Sequence, residues 1–151
     1  MGTAVLRTVE VERVIAAPIA EVFDFLTDSA NYRSVPGVLR ARLVTPGAPV
    51  PQGAGAVRQV VTAALALTEL VTGYEPPHRM EYRIVRAVPP LRHEAGSITC
   101  AEVPGGTRVR WHSEFAVATP VAAGLLTRVW TPIVRSGFEL VLRTAERRLR
   151  R

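Results

Sequence analysis

Residues 107–151 read TRVRWHSEFAVATPVAAGLLTRVWTPIVRSGFELVLRTAERRLRR, and within them the hydrophobic period changes from two to about 3.6. At the start, Arg108, Arg110, His112 and Glu114 alternate with Val109, Trp111, Ser113 and Phe115, the pattern of a strand with its second set on a core. From Pro120 onward the spacing is helical. With Glu139 at the centre of a polar face, Arg135, Arg143, Glu146 and Arg150 lie beside it, and Leu126, Trp130, Ile133, Val134, Gly137 and Val141 share the opposite face. Pro132 predicts a kink, or a fresh start of the long helix near Thr131. A strand followed by one long amphipathic helix calls for a sheet against which the helix buries its apolar side.

The rest of the chain supplies that sheet. Val5, Val9, Val11 and Ile15 alternate with more polar residues in a long first strand, Val5–Ile15. Ala17-Pro18 starts a helix carrying Val22, Phe23, Phe25 and Leu26 that ends before Asp28, with proline at an early position where its missing N–H is harmless. A second short helix, Ser29–Ser34, stops at Val35-Pro36-Gly37. Strands follow over Val38–Val44, Ala54–Thr62, Leu65–Tyr74, Arg79–Arg86, Leu91–Val103 and Thr107–Ala118, separated by Thr45–Gly53, Pro76-Pro77, Pro89-Pro90 and Pro104-Gly105-Gly106. None of these separators is an interdomain linker, so residues 1–151 are expected to form a single α+β domain. Its order is β-α-α-β6-α: a curved antiparallel sheet of about seven strands wrapped around the C-terminal helix. A curved sheet cannot press one straight helix along its whole length, so an internal cavity between the two is expected.

Composition narrows the setting. The charged fraction of 21% and hydrophobic fraction of 48% suit a folded domain and exclude disorder driven by low hydropathy. All 19 basic residues are arginine, giving a net charge of +6, which fits either an anionic partner or a compositional bias of the source. A single cysteine, Cys100, allows no internal disulfide and has no evident metal partner, and the three histidines lack ligand spacing, so no metal or cofactor is expected. The beginning of the chain lacks a signal-peptide pattern and no run is apolar enough for a transmembrane segment, so a cytoplasmic location is expected.

The order of elements, together with Val14-Ile15-Ala16-Ala17-Pro18 before Val22-Phe23, Gly53-Ala54-Gly55 before a strand, Glu69-Leu70-Val71 before Pro76-Pro77, and Gly105-Gly106-Thr107-Arg108-Val109-Arg110-Trp111, resembles the START-like SRPBCC superfamily. Within it, the chain most resembles the polyketide cyclase/dehydrase-like branch. The resemblance spans essentially the whole chain and implies a helix-grip fold. It does not imply one activity, because the superfamily holds hydrophobic-ligand carriers, lipid-transfer domains, aromatase/cyclases and small-molecule receptors.

Several residues are candidates for the cavity. If Ala63-Ala64 forms a two-residue turn, Thr62 faces Leu65, Val60 faces Leu67 and Arg58 faces Glu69, all on one face that is apolar except for Thr62 and the charged pair. The resemblance also places the acidic position before Val71 inside. A buried guanidinium–carboxylate pair is a poor stabilising device, so Arg58 is a candidate for holding a ligand carboxylate or phenolate and Glu69 for accepting a hydroxyl proton; a structural pair at the cavity mouth is the alternative. Met80, Tyr82 and Ile84 are expected to face inward, and Tyr82, Trp111 and Phe115 either line the cavity or fill the core. Strand Leu91–Val103 is ambiguous by one residue. If Ile98 and Cys100 accompany Trp111, Glu94 follows them in; with one extra residue in the hairpin, His93, Ser97 and Thr99 do. His93 would then be an acid or base of the pocket, while His78 and His112 are expected in solvent.

These residues lead to binding or transport of a small hydrophobic molecule, lipid-like or aromatic, in a cavity lined by Leu26, Val60, Leu67, Tyr82, Ile84, Trp111, Phe115, Trp130, Val134 and Val141 with Arg58 and Glu69 as polar anchors. The enzyme alternative is a polyketide cyclase/dehydratase using Arg58, Glu69, Tyr82 and His93. A third alternative is an interaction module using the basic C-terminal helix. Arg143, Arg147, Arg148, Arg150 and Arg151 crowd the end of the chain, but cations there also complement the helix dipole, so no nucleic-acid partner is expected. A monomer or homodimer is expected.

Overall fold

A computed structural model of the protein describes residues 6–118 and 122–150. The expectations for Val5, Pro120 and Arg151 lie outside the described residues. The first strand, β1 (Arg7–Ile15), buries Val9, Val11 and Ile15. Pro18 sits in extended conformation at the cap of α1 (Ile19–Thr27), which buries Val22, Phe23, Phe25 and Leu26. The Asp28 carboxylate then accepts from the Ala30 N–H at 2.9 Å and opens the next turn, as short polar side chains do at helix starts. That second helix, Ser29–Ser34, is a 3-10 helix. Six strands follow: β2 (Val38–Thr45), β3 (Val57–Thr62), β4 (Ala66–Glu75), β5 (Arg79–Val88), β6 (Leu91–Val103) and β7 (Gly106–Val117).

The seven strands form one antiparallel sheet in the order β1-β7-β6-β5-β4-β3-β2. The two helical turns after β1 carry the chain from one edge of the sheet to the other, and β2 to β7 run back as a meander. Irregular register in β2–β3, β4–β5 and β6–β7 adds the local bending that a wrapped sheet requires. On the outer face of the β1–β7 pair, Glu12 stands opposite Arg110, and Arg110 pairs with Glu12 and diagonally with Glu10 at 3.2 Å while Arg108 pairs diagonally with Glu12 at 3.3 Å. Those arginines thus belong to a solvated charge ladder.

The long helix, α2 (Ala123–Leu149), packs on β1, β7 and α1. It begins at Ala123 rather than near Thr131 and runs through Pro132, which occupies an exposed position. Its orientation also differs from the expected one. Val141, Leu142 and Ala145 are buried, whereas Ile133 is largely exposed, so the docked face is rotated from the one expected. The reason is Glu146, which belongs to an inter-element contact: Arg13 on β1 donates to both its oxygens, from Nε at 3.0 Å and Nη2 at 3.1 Å. This contact fixes the C-terminal half of α2 on the sheet. The preceding half carries exposed Leu125, Val129 and Ile133.

Strand β6 combines the two expected registers. Ile98 and Cys100 face inward with Trp111, and the extra residue sits inside the strand, between His93 and Ala95. The bulge turns His93 inward and Glu94 outward. Beyond Tyr82 and Gly96, β5 and β6 no longer pair; there the Ile84 N–H donates to His93 Nδ1 at 3.0 Å, so an imidazole takes the place of a main-chain rung.

Candidate functional site

The β3–β4 hairpin has the register expected from its pattern, with Val60 opposite Leu67 and Arg58 opposite Glu69. Ala63-Ala64 lacks the residue types that favour a tight turn, and Thr62 compensates. Its hydroxyl oxygen accepts from the Ala64 N–H at 3.2 Å and the Leu65 N–H at 3.0 Å, a side-chain turn that closes the hairpin.

Between this hairpin, the segment Val35–Val38 and α2 lies a cavity of about 310 Å³. Its wall includes Val60, Leu67, Glu69, Trp111, Val134 and Val141 from the expected set. Leu65, Ile133 and Gly137, which the strand and helix patterns place on apolar faces, also line it, together with Tyr32, Val38 and Phe138, which the sequence patterns did not single out. Leu26, Arg58, Tyr82, Ile84, Phe115 and Trp130 are not part of this wall. Leu26 and Phe115 are buried in the core, Ile84 and Trp130 pack against it partly exposed, and Tyr82 lies behind Trp111. Phe138 stacks on the Trp111 ring with centroids 4.2 Å apart and planes 7° from parallel, closing one side of the cavity. Its position beside Gly137 is the signal for it, legible only once the docked face of α2 is known.

Arg58 is 1% exposed and Glu69 5% exposed. Arg58 Nε donates to Glu69 Oε1 at 3.2 Å and Nη1 to the Thr27 carbonyl at 3.0 Å, while Nη2 is buried with no partner among the described residues. The guanidinium carbon lies 5.8 Å from the centroid of Tyr32 and 6.0 Å from that of Tyr82, within cation–π range. Burial disfavours the guanidinium charge, but Glu69 and the two phenols outweigh it and hold the Arg58 pKa above its ordinary value. Arg58 therefore stands behind the cavity wall as a fixed cation, and Glu69 is the charged side chain that reaches the wall. Burial pushes both phenols above their ordinary range, so Tyr32 and Tyr82 are protonated at neutral pH.

His93, 5% exposed, is held at both nitrogens: Nδ1 accepts from Ile84, and Nε2 therefore carries the proton and donates to Ser113 Oγ at 3.0 Å. It stacks on Tyr82 at 5.6 Å, and burial lowers its pKa to about 4. The imidazole is neutral near pH 7 and lies away from the described cavity wall. Gly96, on β6, lets Tyr82 approach this closely: a Cβ there would stand 2.5 Å from Tyr82 Cζ. A glycine inside a strand pattern is the sequence signal for such an approach. His78 is exposed and His112 half-buried. Burial raises the Cys100 thiol to about 12, and among the described residues no three His, Cys, Asp or Glu side chains gather as a metal site.

A seven-stranded antiparallel sheet closed by one long C-terminal helix is the helix-grip architecture of START-like SRPBCC domains. Residues 7–150 match the family described as polyketide cyclase/dehydrase and lipid transport, and the chain belongs to that family. Similar solved structures include the protein TTHA0849 from Thermus thermophilus, at 19% identity and TM-score 0.78 over 95% of this chain and 97% of that one. The Zhui aromatase/cyclase from Streptomyces sp. R1128 is similar at 20% identity and TM-score 0.74, covering 96% of each chain. The di-domain aromatase/cyclase BexL of the BE-7585A biosynthetic pathway is similar at 18% identity and TM-score 0.78, covering 97% of this chain; this chain spans 51% of BexL. At these identities the likeness is one of fold. No curated protein is matched by the sequence. Among the described residues no helix is long and apolar enough to cross a membrane.

Proposed function

We propose that the protein binds a small, mainly apolar molecule in the cavity between the β3–β4 hairpin and α2, as a noncatalytic carrier or receptor. The observation that carries this is the composition of the wall: mostly aliphatic and aromatic side chains, with Thr62 polar and Glu69 the one charged member among the described residues. A volume of about 310 Å³ lies at the small end of ligand sites, which run from roughly 300 to 1,000 Å³. Apolar burial, at about 25 cal/mol per Å², supplies most of the affinity. Native mass spectrometry of freshly purified protein is expected to show co-purified small molecules. A panel of fused-ring and aliphatic probes is expected to bind saturably and raise the melting temperature. A panel with neither binding nor thermal shift would contradict this function.

A cyclase or dehydratase acting on a polyketide-like substrate is the second candidate, favoured by one observation: the Glu69 carboxylate borders the cavity, where it can accept a proton from an enolisable carbon or a hydroxyl. Of the other candidate groups, Arg58 and Tyr82 lie behind the wall and His93 is engaged at both nitrogens. Turnover lost in Glu69→Gln with ligand binding retained would favour catalysis over carriage.

A further inference from the structure

The outer face of the sheet divides into two halves of different charge. On β1, β6 and β7 arginine and glutamate stand together and pair: Arg108 and Arg110 with Glu10 and Glu12, and Arg92 with Glu94. On β2 to β5 the register brings arginine alone. One rung runs Arg42, Gln59, Thr68, Arg86 across the four strands, and the rungs on either side set Arg40 beside Val61 and Arg83 beside Leu70. Alternation fixes the side, because Ala41, Arg58, Val60 and Glu69, which lie between these positions, are buried on the inner face. The four outer arginines are exposed, and none pairs with a carboxylate among the described residues. Arg42 donates from Nε to the Gln59 amide oxygen at 3.2 Å. These rungs contain no Asp or Glu, and Glu81, near Arg83 on β5, is held by Arg79 at 2.6 Å. A compositional bias explains why every cation of this chain is arginine; it does not explain why the acids stay off this half of the sheet.

Strands stand about 4.8 Å apart and rise about 3.4 Å per residue, so Arg42 and Arg86 frame a field roughly 14 Å wide, and the three rungs span about as much along the strands. Inside it Val57, Val61 and Leu70 are half-buried, giving an apolar centre with a cationic rim, the anatomy of a small protein interface. Four like charges on so small a field repel one another and gain from anions set between them, and guanidinium forks match carboxylates in geometry. No aromatic side chain stands in the rungs to stack a nucleic-acid base, and the convex side of a wrapped sheet meets a convex duplex at few phosphates. The half-buried apolar residues offer little to insert into hydrocarbon, which disfavours a membrane surface. A second copy of this chain would set arginine against arginine. We propose that the outer face of β2 to β5 docks an acidic protein partner, with Arg40, Arg42, Arg83 and Arg86 holding its carboxylates around the apolar centre. This surface is independent of the cavity, which lies on the inner side of β3 and β4, and it uses none of the arginines of the C-terminal helix.

The test is a titration of the intact, isotopically labelled protein at pH 7, followed by its amide chemical shifts. The probes are an amphipathic peptide of leucine and glutamate, the same peptide with lysine for glutamate, a single-stranded oligonucleotide and phosphatidylglycerol vesicles. The acidic peptide is expected to shift residues 57–61 and 66–70, and to lose about tenfold or more in affinity between about 50 and 200 mM salt. Arg42→Glu with Arg86→Glu should weaken it about tenfold or more, whereas Arg143→Glu with Arg147→Glu, an equal change of net charge on the helix, should leave binding within about twofold. If the first variant does not fold, the location of the shifts on the unmodified protein decides. No binding of the acidic peptide, equal binding of the lysine peptide, shifts confined to another face, or equal loss in both variants overturns the docking surface. Tighter binding of the oligonucleotide or the vesicles at the same residues overturns the choice of a protein partner.

Discussion

Removing the Glu69 carboxylate leaves a guanidinium that is 1% exposed without its counter-charge, and Arg58 has only the Thr27 carbonyl and two aromatic faces to replace it. Glu69→Ala is therefore expected to lower unfolding stability by about 3–5 kcal/mol. The double variant Arg58→Met, Glu69→Leu removes both charges at similar volume and is expected to lose much less than the sum of the two single changes. Urea unfolding of the single and double variants measures this; additivity would mean that the two side chains do not act as a pair. The pairing of Arg58 with Glu69 was legible because strand alternation and a two-residue turn define who faces whom. What the alternation did not contain was the depth of each side chain. Arg58 and Glu69 share a face, yet one lies behind the cavity wall and the other within it.

At the level of elements, β5 and β6 part beyond Tyr82 and Gly96, and the neutral His93 ring joins them by accepting from Ile84. The native imidazole titrates near 4, against about 6.5 in an unfolded chain. The unfolded state therefore binds the proton first as pH falls. Stability from this group is present above about pH 6.5 and is lost progressively down to about pH 4, a change on the order of 3 kcal/mol. His93→Gln is expected to flatten that part of the stability-versus-pH curve relative to the unmodified protein, measured by urea midpoints between pH 7 and 4. A parallel pair of curves would sink the assignment. The bulge that turns His93 inward was not resolvable in the sequence, because shifting a strand by one residue exchanges its two faces and either register satisfied the local pattern.

For the whole molecule, the cavity exists because the C-terminal half of α2 docks on β1 and β7 while the segment from Ile133 to Val141 borders space over the hairpin. Gly137 lies on that border, and a Cβ built there meets nothing within 4 Å. Gly137→Leu should therefore keep or raise stability, since glycine within a helix costs about 0.5–1 kcal/mol relative to alanine. The same change should fill part of the cavity and weaken probe binding several-fold. Thermal melts and titration of the variant check both halves; undiminished binding would place the ligand elsewhere. The sequence by itself determined the order of elements, the antiparallel meander and the facing of Arg58 on Glu69, because each follows from hydrophobic period and turn chemistry over short spans. Tertiary structure alone decided the rotation of α2, the wall positions of Tyr32 and Phe138, the burial of His93 and the place of Arg58 behind the cavity wall. Each of these depends on contacts between residues far apart in the chain, such as Arg13 with Glu146, that no local periodicity encodes.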